Sequence, residues 1–97
     1  MDEKAAYEKK VQAQLDEWNA EIKKLKAKAD RAEAEAEIAY YQQIDELQDL
    51  QNNAVNKLIE LKKAGDNAWH DLKTGVEVAK TSLEDAVKSA ASRFSRP

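Results

Sequence analysis

The sequence predicts an all-α protein: a long helical hairpin with unequal arms that associates with copies of itself into an antiparallel coiled-coil bundle. Three observations predict this. Apolar or small residues recur in alternating steps of four and three along nearly the whole chain, a spacing that gathers them on one side of a helix. Helix breakers are scarce, with two glycines and a single proline that is the final residue. Charged residues make up 36% of the chain and aromatic ones only 6%, which suits long helices better than a deep globular core.

The first helix is expected over about 3–64. Its stripe runs through Val11, Leu15, Trp18, Ile22, Leu25, Ala29, Ala32, Ala36 and Ala39. Between Tyr40 and Leu58 the members Ile44, Leu47, Leu50, Ala54 and Leu58 include two consecutive steps of four, which reads as a stutter in a helix that continues slightly unwound. The turn is placed at 65–66. Lys62 and Lys63 suit a helix C-terminus, Gly65 suits the left-handed position that follows one, and Asp66 can cap a new helix. The alternative is one unbroken rod with Gly65 tolerated inside it, at about 1 kcal/mol relative to alanine. The second helix, about 67–94, resumes the stripe through Trp69, Leu72, Val76, Ala79, Leu83, Ala86, Ala90 and Phe94, with Gly75 allowing close packing. The whole chain, 1–97, is one unit.

Arms of these lengths differ, roughly 90 Å against about 40 Å. In the hairpin, Leu47, Leu58 and Leu61 pack with Trp69, Leu72, Val76, Leu83 and Phe94. The rest of the long stripe then lacks a partner in its own chain, and leaving such side chains wet forgoes several kcal/mol at about 25 cal/mol per Å². A self-association interface is therefore expected at Val11, Leu15, Trp18, Ile22, Leu25, Ala29, Ala32 and Ala36, forming a homodimer or a higher antiparallel bundle. The charges suggest its symmetry. A two-fold axis near Ala29 to Ala32 sets the basic block Lys23, Lys24, Lys26 and Lys28 of one chain beside the acidic Glu33, Glu35 and Glu37 of another.

Chemistry-bearing patterns are few. A net charge of −3 and a pI near 5.2 argue against nucleic acid as a partner. The absence of cysteine removes thiolate catalysis and disulfides. No apolar leader follows Met1 and no run approaches the roughly 18 apolar residues of a spanning helix, so a soluble, cytoplasmic protein is expected. The one histidine, His70, has Asp66 a turn earlier, but two ligands do not make a metal site, and neither paired Glu-x-x-His nor His-Glu-x-x-His occurs. Ser82, Ser89, Ser92 and Ser95 have no base nearby in sequence. No catalytic residue, metal or cofactor is expected, and Trp18, Trp69 and Phe94 fall in register with the stripe as packing residues.

The function expected is that of a non-enzymatic scaffold or interaction module. The rival is a peripheral membrane-surface, apolipoprotein-like or stress-protectant helix, because Trp69, Leu72, Val76, Leu83, Val87 and Phe94 line one side of the second helix. Its opposite face mixes Asp71, Lys73, Glu77, Lys80, Glu84, Asp85 and Lys88, unlike the basic face that anionic lipid favours. Three segments carry a family resemblance: Gln14-Leu15-Asp16-Glu17-Trp18-Asn19-Ala20-Glu21-Ile22, Asp66-Asn67-Ala68-Trp69-His70-Asp71-Leu72-Lys73-Thr74-Gly75-Val76-Glu77, and Ser89-Ala90-Ala91-Ser92-Arg93-Phe94. In these the chain resembles small bacterial coiled-coil domain-containing proteins. The resemblance implies a stand-alone helical polypeptide of bacterial origin and carries no activity, substrate or cofactor.

Overall fold

Asp2 starts the first helix by accepting a hydrogen bond from the Lys4 backbone N–H at 3.1 Å, with Glu3 placing negative charge in the first turn. A computed structural model of the protein describes residues 2–65 and 67–94. It contains three helices: α1 (Glu3–Asp30), α2 (Ala34–Lys63) and α3 (Trp69–Phe94). The described residues hold no strand. All three helices pack on one another in an up-down-up order. Lys4 Nζ reaches the Lys62 carbonyl oxygen at 2.9 Å, the Tyr40 and Phe94 rings lie 4.1 Å apart, and Tyr7 stands 5.9 Å from the Trp69 ring. Thus α2 runs antiparallel to both neighbours, and α1 and α3 run parallel.

The helix expected over 3–64 is two helices, broken at Arg31-Ala32-Glu33. The molecule measures 51 × 20 × 16 Å, too short for an unbroken helix of roughly 90 Å. The turn is made without glycine or proline. Arg31 remains in the helical region and its N–H bonds back to the Lys28 carbonyl, whereas Glu33 is extended at φ −64° and ψ 151°. What favours a break here is charge: Lys28 lies in the last turn of α1, and Glu35 and Glu37 lie in the first turn of α2. Each sign complements the dipole end it occupies. The basic-to-acidic switch assigned above to contact between chains thus also marks a helix end followed by a helix start.

The break changes the fate of the stripe. Val11, Leu15, Ile22, Leu25 and Ala29 are buried within the single chain, in one core with Ile44, Leu47, Ala54, Leu58, Leu61, Trp69, Val76, Ala79, Leu83, Val87, Ala90 and Phe94. Trp18 and Leu72 pack against that core half-buried, and Ala32 and Ala36 are half-buried beside the turn. The premise that Val11 to Ala36 lack an intramolecular partner is therefore corrected, because α1 folds back and finds one in α2 and α3.

Two further expectations are corrected. The seam of α2 does not stutter at Leu50: its buried members Ile44, Leu47, Ala54, Leu58 and Leu61 keep alternating steps of three and four once half-buried Gln51 is counted in the gap. The glycines also differ from expectation. No described glycine has positive φ, so Gly65 is not in the left-handed region, and the cap of α2 is Ala64 in extended conformation. A Cβ on Gly75 would meet only Lys57 Cδ at 4.0 Å, so no close approach requires glycine there. Asp66 lies outside the described residues, as does Ser95.

Candidate functional site

A group of ionisable and aromatic side chains gathers where the start of α1 meets the first half of α3. From α1, Tyr7 donates its phenolic proton to Glu77 Oε2 on α3 at 2.5 Å. Lys80, a buried lysine one turn further along α3, closes an ion pair with Glu77 at 3.0 Å. Lys73 holds its ammonium 5.0 Å from the Tyr7 ring centre and 5.9 Å from that of Trp69, within cation–π range. Trp69 is itself buried. His70, exposed, stacks against it at 4.1 Å.

Periodicity explains why these residues meet. On α3, Lys73, Glu77 and Lys80 are spaced by four and three, one stripe beside the core-facing Trp69, Val76 and Leu83. The hydrocarbon stem of Lys80 covers core while its ammonium finds Glu77, the usual solution for a lysine on a helix flank. The electrostatics follow from the pairing. Burial, the Glu77 hydrogen bond and the Glu77 charge all push the Tyr7 phenol well above its ordinary 10.0. Burial also works to raise the Glu77 carboxyl. Hydrogen bonds from Tyr7 and Lys80, together with the charges of Lys80 and Lys10, outweigh it and hold the group below 4.5.

Beside this cluster a shallow groove of about 480 Å³ runs along the outward face of α3, lined by Lys73, Thr74, Glu77, Val78, Thr81 and Ser82. Val78 is 62% exposed there, and among the described residues the other large exposed apolar side chains, Ile38 and Ile59, lie on α2. Single exposed apolar residues of this kind are ordinary on a globular surface. The apolar side of α3 that supported the membrane-surface alternative is turned inward, with Trp69, Val76, Leu83, Val87 and Phe94 all buried. No described helix is long and apolar enough to cross a membrane. Among the described residues no three histidine, cysteine or acidic side chains gather as metal ligands, and Asp66, the expected neighbour of His70, is outside them.

In the sequence Glu77 and Lys80 fall among the charges opposite the apolar side of the second helix, and Tyr7 falls outside the stripe. The spacing of Glu77 and Lys80 carried a signal for their mutual pair, but nothing local links Tyr7 to residues seventy positions away. No protein-family model matches the chain, and no curated protein and no solved structure matches it either.

Proposed function

We propose that the chain is a non-enzymatic structural or interaction module. The observation that supports this reading is the Tyr7–Glu77–Lys80 contact, a hydrogen bond and an ion pair that tie α1 to α3, with the two shifts at it directed away from neutrality. A general acid or base works best with its pKa drawn toward the operating pH. Here the phenol is driven up and the carboxyl is driven down, both away from neutrality. Such shifts belong to a clamp that stabilises one protonation state, and the clamp joins two parallel helices that no short loop connects. It is a device for setting register.

The test is a comparison of stability with turnover. Tyr7→Phe and Glu77→Gln should each lower the unfolding midpoint, and the double variant should show that the two losses are not additive. A panel of hydrolase and transferase substrates should give the same background with the wild type as with both variants. Turnover by the wild type that disappears in variants still folded by circular dichroism would overturn the reading.

A further inference from the structure

We propose that the chain exchanges α1 with a second copy of itself, the Arg31–Glu33 turn opening so that α1 and α2 become one continuous helix. This deepens the reading above by naming a second copy as the partner.

The turn backbone itself carries little that holds it closed. No described residue has positive φ, Arg31 is already near helical values at φ −98° and ψ −3°, and Glu33 has a helical φ of −64°. Of these two residues, Glu33 departs further from helix, through its ψ of 151°. The Glu33 side chain makes no capping hydrogen bond, in contrast to Asp2 at the start of α1. An open surface hollow lies beside the turn, lined by Arg31, Ala32, Glu33, Ala36, Tyr40 and Phe94, and Arg31 and Glu33 themselves are exposed. The local sequence favours the open form. Ala29, Ala32, Ala34, Ala36 and Ala39 are the strongest helix formers, and Ala29, Ala32, Ala36 and Ala39 stay in step across the break. Straightening also gives the N–H groups of residues 33–36 the carbonyls of residues 29–32 as helical partners.

Once straight, the helix carries α1 away from its own α2, and the faces of Val11, Leu15, Ile22 and Leu25 are bared. The surface that fits them is the one vacated on α2 and α3 of an identically opened copy. The same contacts then form between chains: Gln51 Nε2 with the Leu15 carbonyl, Lys4 with the Lys62 carbonyl, and Tyr7 with Glu77. The exchange is reciprocal, so it closes into a two-fold dimer. Two features oppose it. The charges at the helix ends favour the break, and Tyr41 donates a hydrogen bond to Asp30 across the turn, two residues that lie roughly 16 Å apart along a straight helix. Concentration therefore decides between the closed monomer and the exchanged dimer.

The chain has no cysteine, so a cross-link can report which chain α1 sits on. Gln12 Oε1 and Lys62 Nζ meet at 3.4 Å, and the Gln12→Cys, Lys62→Cys variant can be bridged there by a short bismaleimide. The full chain is unfolded in denaturant, refolded near millimolar and near micromolar concentration, separated by size and cross-linked. The expected result is a dimer fraction after concentrated refolding whose bridges join two chains on a denaturing gel, with within-chain bridges in the monomer. Ala34→Pro tests the hinge. Position 34 is the first residue of α2, where proline is favoured, and Glu33 before it already has the extended backbone proline demands. Inside a continuous helix the same proline is strongly unfavourable, and with one hinge per chain the dimer should weaken about 10⁴-fold. A wild type that stays monomeric after concentrated refolding, or a dimer whose bridges remain within chains, overturns the exchange. So does an Ala34→Pro variant that folds and dimerises as the wild type does. Enzymatic turnover would instead overturn the module reading and leave the exchange untouched.

Discussion

Leu15→Ala is the substitution that most directly tests whether α1 docks on its own chain at ordinary concentrations. Leu15 is 1% exposed and lies in the middle of α1, facing a core to which all three helices contribute. Truncating a buried leucine costs about 2–5 kcal/mol, the transfer of the lost carbons plus the cavity they leave. The upper half of that range is expected here. Gln51 Nε2 bonds the Leu15 carbonyl at 3.1 Å, and this link between α1 and α2 restrains the backbone from collapsing into the space. For a chain of this length, a loss of about 3.5–5 kcal/mol lowers the melting temperature by about 14–40 °C. The assay is circular dichroism at 222 nm, melted by heat and by urea, with wild type and variant each measured at about 0.2 μM and about 20 μM, well below the near-millimolar range in which exchange is expected. With α1 docked in its own chain, neither midpoint depends on protein concentration. Docking on a second chain would add roughly 2.7 kcal/mol of apparent stability over a hundredfold rise in concentration. A loss under about 1 kcal/mol, or midpoints that climb between these two concentrations, refutes intramolecular burial of the stripe.

Four other expectations follow from the same contacts. Tyr7→Phe should cost about 1 kcal/mol at neutral pH. Because the folded phenol titrates above 10.0, its contribution is complete below pH 10 and lost as pH rises further, so wild type and variant should converge in urea melts under strongly alkaline conditions. Glu77 has the opposite sign: its folded carboxyl lies below 4.5, its contribution is present above that value, and the advantage of wild type over Glu77→Gln should fade as pH falls below about 4.5. The hydrogen bond to Asp30, with lesser contributions from desolvation and neighbouring charge, pushes Tyr41 up to about 12, and Asp30→Asn should return its phenolate absorbance transition toward 10. Gly75→Ala should stabilise by about 1 kcal/mol, since the added methyl meets only the end of a flexible lysine in a helix interior; a lower urea midpoint would show that the glycine is needed for packing.

The helical character of the chain, the turn near Gly65 and most of the core were legible in the sequence. The stripe that named Val11, Leu15, Ile22, Leu25, Leu47, Leu58, Leu61, Trp69, Val76, Leu83 and Phe94 placed each where the core now is. The turn near Gly65 was announced by local signals, two lysines and then a residue of low helix propensity. The turn at Arg31–Glu33 had none of these, since alanine and glutamate are strong helix formers and the repeat passes through unbroken. Its signal was electrostatic, and a basic run followed by an acidic run satisfies two geometries equally: opposed chains, or the end of one helix beside the start of the next. Gln51 misled for a related reason. A polar residue on the seam hides the repeat, and its Oε1 is buried without a protein partner, as are those of Gln14 and Gln43. Tyr7 and Glu77 could not be paired at all, because their contact depends on how three helices assemble.

These misreadings share a physical root. The apolar stripe requires that α1 be covered, and leaving it wet is too unfavourable for a chain of this size. It does not state which α2 and α3 do the covering. A closed monomer and an exchanged dimer bury the same side chains in the same register, and they differ at three residues whose local preferences are mixed. Backbone propensity and the uncapped Glu33 favour the straight helix. Lys28, Glu35, Glu37 and the Tyr41–Asp30 bond favour the bend, along with the entropy of keeping one chain in place of two. Each term at the hinge is on the order of 1 kcal/mol, small beside the core that both forms share. If the proposed exchange holds, the balance is sensitive to single substitutions between Lys28 and Tyr41, and those substitutions should shift the monomer–dimer ratio.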